Sequence, residues 1–248
     1  MLYTNKDIWN VSYPILLALL AQNVINVTDT AFLGHVGEVE LGASAMGGLL
    51  YICIFTVAFG FSTGSQIMIG RRNGEGRFRD VGPVMMQGCL FLLVMAAVLF
   101  GLCQWSMPTI VRMLISSDNI YDATCEFLHW RMFGFFFSFV NVMFRALYVG
   151  ITRTKVLTIN AVIMALVNVF LDYALIFGHF GFPEMGLKGA AIASVAAEAS
   201  SFVFGMVYTW IYVDLKKYGL NRWPQWDSAL LGRILSISCF TMVQYFIS

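Results

Sequence analysis

Six apolar runs, each long enough to cross a bilayer as a helix, follow one another along the chain with only short polar breaks between them. A hydrocarbon core of about 30 Å takes about 20 helical residues at about 1.5 Å each. The runs near Ile8–Leu33, Gly42–Gly70, Val81–Trp105, Tyr121–Tyr148, Val156–Phe177 and Lys188–Val213 all reach that length, and a seventh begins around Leu230. In lipid every backbone polar group must be satisfied within its own helix or a closed barrel. The expected fold is therefore an all-α membrane protein, a six-helix transmembrane bundle plus a partial seventh span. Composition agrees, with 59% hydrophobic and 12% charged residues, far from the balance of an ordinary soluble domain.

The few charges lie mostly between the runs, and their distribution predicts orientation. Arg71, Arg72, Arg77 and Arg79 crowd one loop, Arg153 and Lys155 a second, and Lys216, Lys217 and Arg222 a third. All three fall on one side if the spans alternate, whereas the opposite loops carry only Arg112 and, at a span edge, Lys188. Basic loops stay on the cytoplasmic side, so a multi-pass protein of the inner or plasma membrane with a cytoplasmic N-terminus is expected. The first run is too long for a signal-peptide core and has no small-residue cleavage site set apart from it, so it is read as a retained span. A formal net charge of +1 offers no basic excess for nucleic acid.

Five cysteines, Cys53, Cys89, Cys103, Cys125 and Cys239, have no C-x-x-C spacing and mostly sit in apolar runs. They read as packing thiols, without a disulfide framework or zinc site. The 22 Phe and 14 Met residues could line an adaptable cavity, but in a membrane bundle the same residues ordinarily face lipid or core. No hydrolytic triad, P-loop or metalloprotease motif is present, and Gly74-Glu75-Gly76 lacks the Lys-Ser/Thr of a phosphate cradle. The chain is not expected to be an enzyme or to need an organic cofactor.

Chemistry concentrates on carboxylates inside apolar runs. Asp29 and Asp172 are the clearest, with Glu198 in the sixth run and Glu126 near an end of the fourth. Insertion scales set such a charge at about 2.5–3.5 kcal/mol at the helix centre, so each demands a partner or a purpose. Asn26 lies three residues before Asp29, and Asn168 four before Asp172, which gives each acid an amide about one turn away. A weak internal repeat carries the pattern: Asn26–Gly37 aligns with Asn168–Gly181, and each copy leads into a span opening on small residues, Gly42–Ala45 and Gly189–Ser194.

Both acids lie four to six residues before the Gly that closes their span, hence at similar depth, and Ser194 reaches that depth from the other direction. Asp29, Asn168, Asp172 and Ser194 would together form a hard-oxygen cluster suited to sodium or a proton. Two carboxylates brought together away from water titrate as one unit. Glu198, four residues beyond Ser194, is open to two readings, a proton relay or an interhelical hydrogen bonder. Asn26 is a second relay candidate. His35 and His179 read as outer-loop residues, and His129 with Trp130 and Arg131 as a membrane-edge group. Arg145 reads as a snorkelling side chain near the end of its span.

Several stretches resemble the multidrug and toxic compound extrusion (MATE) family. They are Pro14–Gly37 with Asn26-Val27-Thr28-Asp29-Thr30, Arg71–Gly76, Gly150–Lys155, Asn168–Asp172 and Gly189–Ser194. The family has two six-helix lobes and exports organic cations and other compounds in exchange for sodium or protons. The resemblance implies that residues 1–222 form the N-terminal lobe of a twelve-span transporter, and that 223–248 are the inter-lobe linker and the start of a truncated seventh span. It implies a cation site of Asp29, Asn168 and Asp172 with the Ser194 hydroxyl and the Ala190 carbonyl. An acid in the fifth span as well as the first resembles the DinF-like branch. The implied partners are a small-molecule substrate (an organic cation or apolar drug), membrane lipid, and a second lobe or a second copy of the chain. Alternatives are a flippase for lipid-linked precursors, for which Arg145 alone is a poor phosphate ligand, and a fragment that does not transport.

Overall fold

The computed structural model describes residues 5–221 and 226–247. Among them the regular elements are helices: α1 (Asn5–Val36), α2 (Glu38–Gly74), α3 (Val81–Leu114), α4 (Asp118–Arg131), α5 (Phe135–Gly150), α6 (Lys155–Ile176), α7 (Gly186–Tyr212) and α8 (Ser228–Ile247). Six segments are long and apolar enough to span a membrane: Ser12–Val36, Glu38–Gly74, Phe78–Leu114, Asp118–Gly150, Lys155–Ile176 and Gly186–Tyr212. They match the six runs read from the sequence. The fourth is α4 and α5 joined through a 3-10 turn at Met132–Gly134.

The boundaries differ where the chain turns tightly. A single residue, Gly37, separates α1 from α2, where the first two apolar runs leave residues 34–41 between them. Helix α3 runs through Pro108 to Leu114 rather than ending at Trp105. A proline late in a helix removes one backbone bond, which a neighbouring helix can compensate in a bundle. Arg222, counted among the basic turn residues, lies outside the described residues.

Helix α2 packs on α1, α3, α4, α5 and α8, while α6 packs closely on α1 and α7. The α6–α7 pair is drawn together at its turn. The Met185 amide donates to the Leu175 carbonyl at 2.8 Å, and a Cβ on Gly189 would stand 2.7 Å from that same carbonyl oxygen. Only glycine permits this approach. Helices α1 and α6 run parallel, pinned low down by the Thr158 hydroxyl donating to the Pro14 carbonyl at 2.8 Å. Higher up, Phe32 meets Phe177 edge-on at 5.5 Å. The core is aromatic and aliphatic, with Phe135, Phe139, Leu92, Met143 and Ile69 fully enclosed. All five cysteines are free thiols.

Candidate ion site

The α1–α6 register carries two carboxylates to one level. Asp172 lies fourteen residues beyond Thr158, and Asp29 fifteen beyond Pro14, so helices bonded at Thr158 and Pro14 bring both acids to the same height. Their carboxyl groups are close enough to act on each other. Neither brings a donor while ionised. Asp172 is fully buried, Asn168 is 1% exposed, and Asp29 is half-buried.

The polar atoms of this patch have no partners. Asp29 Oδ1, both Asp172 carboxylate oxygens, and Asn168 Oδ1 and Nδ2 are buried without a hydrogen bond. An orphaned buried polar group costs about 1–3 kcal/mol, more when charged. Native interiors hold few of them without a functional cause or a bound species. The donor set is oxygen-rich and anionic, so it fits a small hard cation or a proton shared between the acids.

Helix α7 brings the next residues. With Gly189 beside Leu175 in an antiparallel pair, Ile192 is level with Asp172. Ala190 and Ser194 then bracket that level, each about 3 Å away along the axis. Ala190 is buried and Ser194 half-buried. Asn26 differs from its counterpart Asn168, because it is exposed on α1. Three residues along a helix leave side chains about 60° apart, enough for Asp29 to turn inward while Asn26 faces out.

Elsewhere in the bundle is a second polar cluster. The Arg131 guanidinium grips the Glu198 carboxylate with both ends, Nη2 to Oε1 at 2.6 Å and Nη1 to Oε2 at 3.0 Å. The Tyr51 hydroxyl donates to Glu198 at 3.1 Å and lies 2.9 Å from the Ser138 hydroxyl. The guanidinium also covers the Tyr51 ring, 3.7 Å from its centroid. The Arg131 and Glu198 side chains are 14% and 13% exposed. Gly134 makes room for them, since a Cβ there would collide with Glu198 and Arg131 and stand 3.0 Å from the Tyr51 hydroxyl. Glu198 is thus engaged as an interhelical bonder.

Sequence reasoning missed Arg131, Tyr51 and Ser138. Arg131 belongs with Glu198 inside the bundle rather than with the edge residues His129 and Trp130. His129 does stay exposed, bonded to Gln104 at 2.9 Å. Arg131 lies about ten residues inside the fourth run, and that depth was the usable signal, because a charge so placed needs an opposite one. Arg145 has no acidic partner among the described residues and covers the Phe59 ring at 4.8 Å.

The MatE family model matches residues 14–174. A probable multidrug resistance protein NorM of Agrobacterium fabrum is 28% identical over 94% of this chain and 51% of its own length. The multidrug resistance protein PmpM of Pseudomonas aeruginosa is 24% identical over 94% and 49%. Among solved structures, an outward-facing multidrug resistance MATE family transporter of the MOP superfamily superposes with a TM-score of 0.83 at 20% identity, over 94% of this chain and 52% of that one. A MOP superfamily transporter from Pyrococcus furiosus gives 0.82 at 19%, over 94% and 51%. The chain spans about half the length of the curated relatives it matches.

Proposed function

The chain belongs to the MatE family, and on that premise we propose that it is the cation-binding half of an antiporter that exports organic compounds in exchange for sodium or protons. The solved structures that share its fold are of transporters. The observation that carries the reading is the set of buried oxygens on Asp29, Asn168 and Asp172 that no donor satisfies. Asp29 and Asp172 supply the negative charge and Asn168 a neutral oxygen. The Ser194 hydroxyl and the Ala190 carbonyl complete the shell from α7.

The coupling follows from electrostatics. A bound cation screens two carboxylates from each other and lets α1 stay closed on α6. Its departure leaves like charges facing in a medium of low dielectric, where their repulsion is many times that in water. The result is a force on the α1–α6 contact, on a helix whose outer face is exposed at Val24 and Val27. The exported compound would bind between this lobe and a second one, supplied by another polypeptide segment or a second copy. The DinF-like branch assignment rests on Asp172 being paired with Asp29. Arg71 and Arg72 at the end of α2, and Arg153, Lys155, Lys216 and Lys217 beyond the ends of α5 and α7, support a cytoplasmic N-terminus in an inner or plasma membrane.

Isothermal titration of the purified chain with sodium, at several pH values, tests the site. Heat of binding that weakens as protons compete, and vanishes in Asp172→Asn, is expected. Identical heats for the wild type and that variant would sink the proposal.

A further inference from the structure

We propose that a recess between the end of α2 and the starts of α3 and α8 binds the phosphate group of an anionic phospholipid, held by Arg72 and Arg233. The recess has a volume of about 240 Å³, and its lining includes Arg72, Arg77, Arg233, Asp80, Asp227 and Pro83. Three guanidinium groups therefore meet two carboxylates.

The two carboxylates are already committed. Asp80 takes the Arg77 side chain, Nη2 at 2.7 Å and Nε at 2.8 Å. Asp227 caps α8, its Oδ1 accepting the amides of Ala229 at 3.0 Å and Leu230 at 3.1 Å. Its own amide donates to Gln87 Oε1 at 3.2 Å, which fixes the cap against α3. Arg72 reaches only a neutral acceptor, the Asp80 carbonyl, at 2.6 Å. Among the described residues Arg233 enters no ion pair, and it stands close enough to Arg72 for the two charges to act on each other. Asp80 also acts on Arg72, but its carboxylate is bonded to Arg77, and two like charges turned into one recess, neither in an ion pair among the described residues, leave a place for an anion. Guanidinium groups suit phosphate because their paired N–H donors match two phosphate oxygens.

Location selects the source of that phosphate. The recess lies where the second span ends and the third span and the apolar helix α8 begin, which is the level of the lipid headgroups. Trp226, adjacent to Asp227, is 56% exposed there, as expected of an aromatic residue at the membrane–water boundary. Basic pockets between membrane helices at this level take anionic headgroups. A lipid anchored beside the recess also presents its phosphate at a far higher local concentration than a free ion. This inference is independent of the ion site and of the transported compound.

Native mass spectrometry of the purified chain, released from micelles doped with phosphatidylglycerol or phosphatidylcholine, provides the test. Selective retention of phosphatidylglycerol is expected. Arg233→Ala should lower it about fivefold, and Arg72→Ala with Arg233→Ala by the product of two such factors, as for basic groups near a membrane surface. Lys216→Ala, an exposed cation on the same face, should change nothing. Arg233 is exposed, so its variant decides the matter even where the double variant fails to fold. Equal retention of the two lipids, or undiminished phosphatidylglycerol retention in Arg233→Ala, would overturn the proposal. Full displacement by millimolar inorganic phosphate would overturn the lipid assignment in favour of a soluble anion.

Discussion

Two buried polar clusters lie in one bundle and are built on opposite terms. Around Glu198, the carboxylate oxygens meet Arg131 and Tyr51, and Tyr51 in turn meets Ser138. Around Asp172, the carboxylates and the Asn168 amide meet no donor at all. Both incur desolvation, but only the first offsets it with the protein's own groups. The satisfied cluster holds α2, α7 and the α4–α5 break together, and the unsatisfied one is the site we propose for an ion.

The largest effect that could break this contrast comes from Glu198→Ala. Removing one partner of a buried pair strands the other, so a stability loss of about 3–5 kcal/mol is expected, read as thermal unfolding in detergent. A loss below about 1 kcal/mol, the scale of an exposed ion pair, would mean that Arg131 is solvated. Tyr51→Phe deletes a hydroxyl bonded to a charged group and should cost about 1.5–3 kcal/mol. Gly134→Ala forces a methyl group against Glu198 and Arg131, and the expected cost of such overpacking is about 1–3 kcal/mol.

At the other cluster the sign should change. Asp172→Asn removes one of two facing charges, so the ion-free protein should be no less stable than wild type. Sodium should raise the wild-type melting point, by an amount equivalent to about 2.7 kcal/mol at a hundred times Kd, and leave the variant unmoved. A variant as unstable as Glu198→Ala would show Asp172 to be structural. Smallest of all, Asn26→Ala on the exposed face of α1 should stay within about 0.5 kcal/mol of wild type and leave sodium heats intact. A loss of sodium binding there would return Asn26 to the site.

The sequence made the six spans legible because charged loops interrupt apolar runs of spanning length, a one-dimensional signal. Asp29 and Asp172 stood out for a related reason, since a carboxylate inside such a run is conspicuous wherever it points, and Asn168 stood out by its spacing from Asp172. Arg131 was not, because its neighbours His129 and Trp130 mimic a membrane-edge group and its partner is on another helix far along the chain. Spacing is silent on long-range pairing. Asn26 shows the opposite limit: sequence adjacency to Asp29 said nothing about which way each side chain turns once α6 packs against α1. The 3-10 turn at Met132–Gly134 was also hidden, since it sits beside a contact of Gly134 with Glu198 and Arg131 that only the assembled bundle creates.

The close α6–α7 turn has a consequence for how the protein is made. With Met185 bonded back to Leu175 and Gly189 against the same carbonyl, these helices can enter the bilayer as a preformed hairpin. Asp172 is then delivered against α7, not against acyl chains. Asp29 is synthesised long before it and must wait on α1 for its counterpart. The proposed site is then completed only when that hairpin docks on α1.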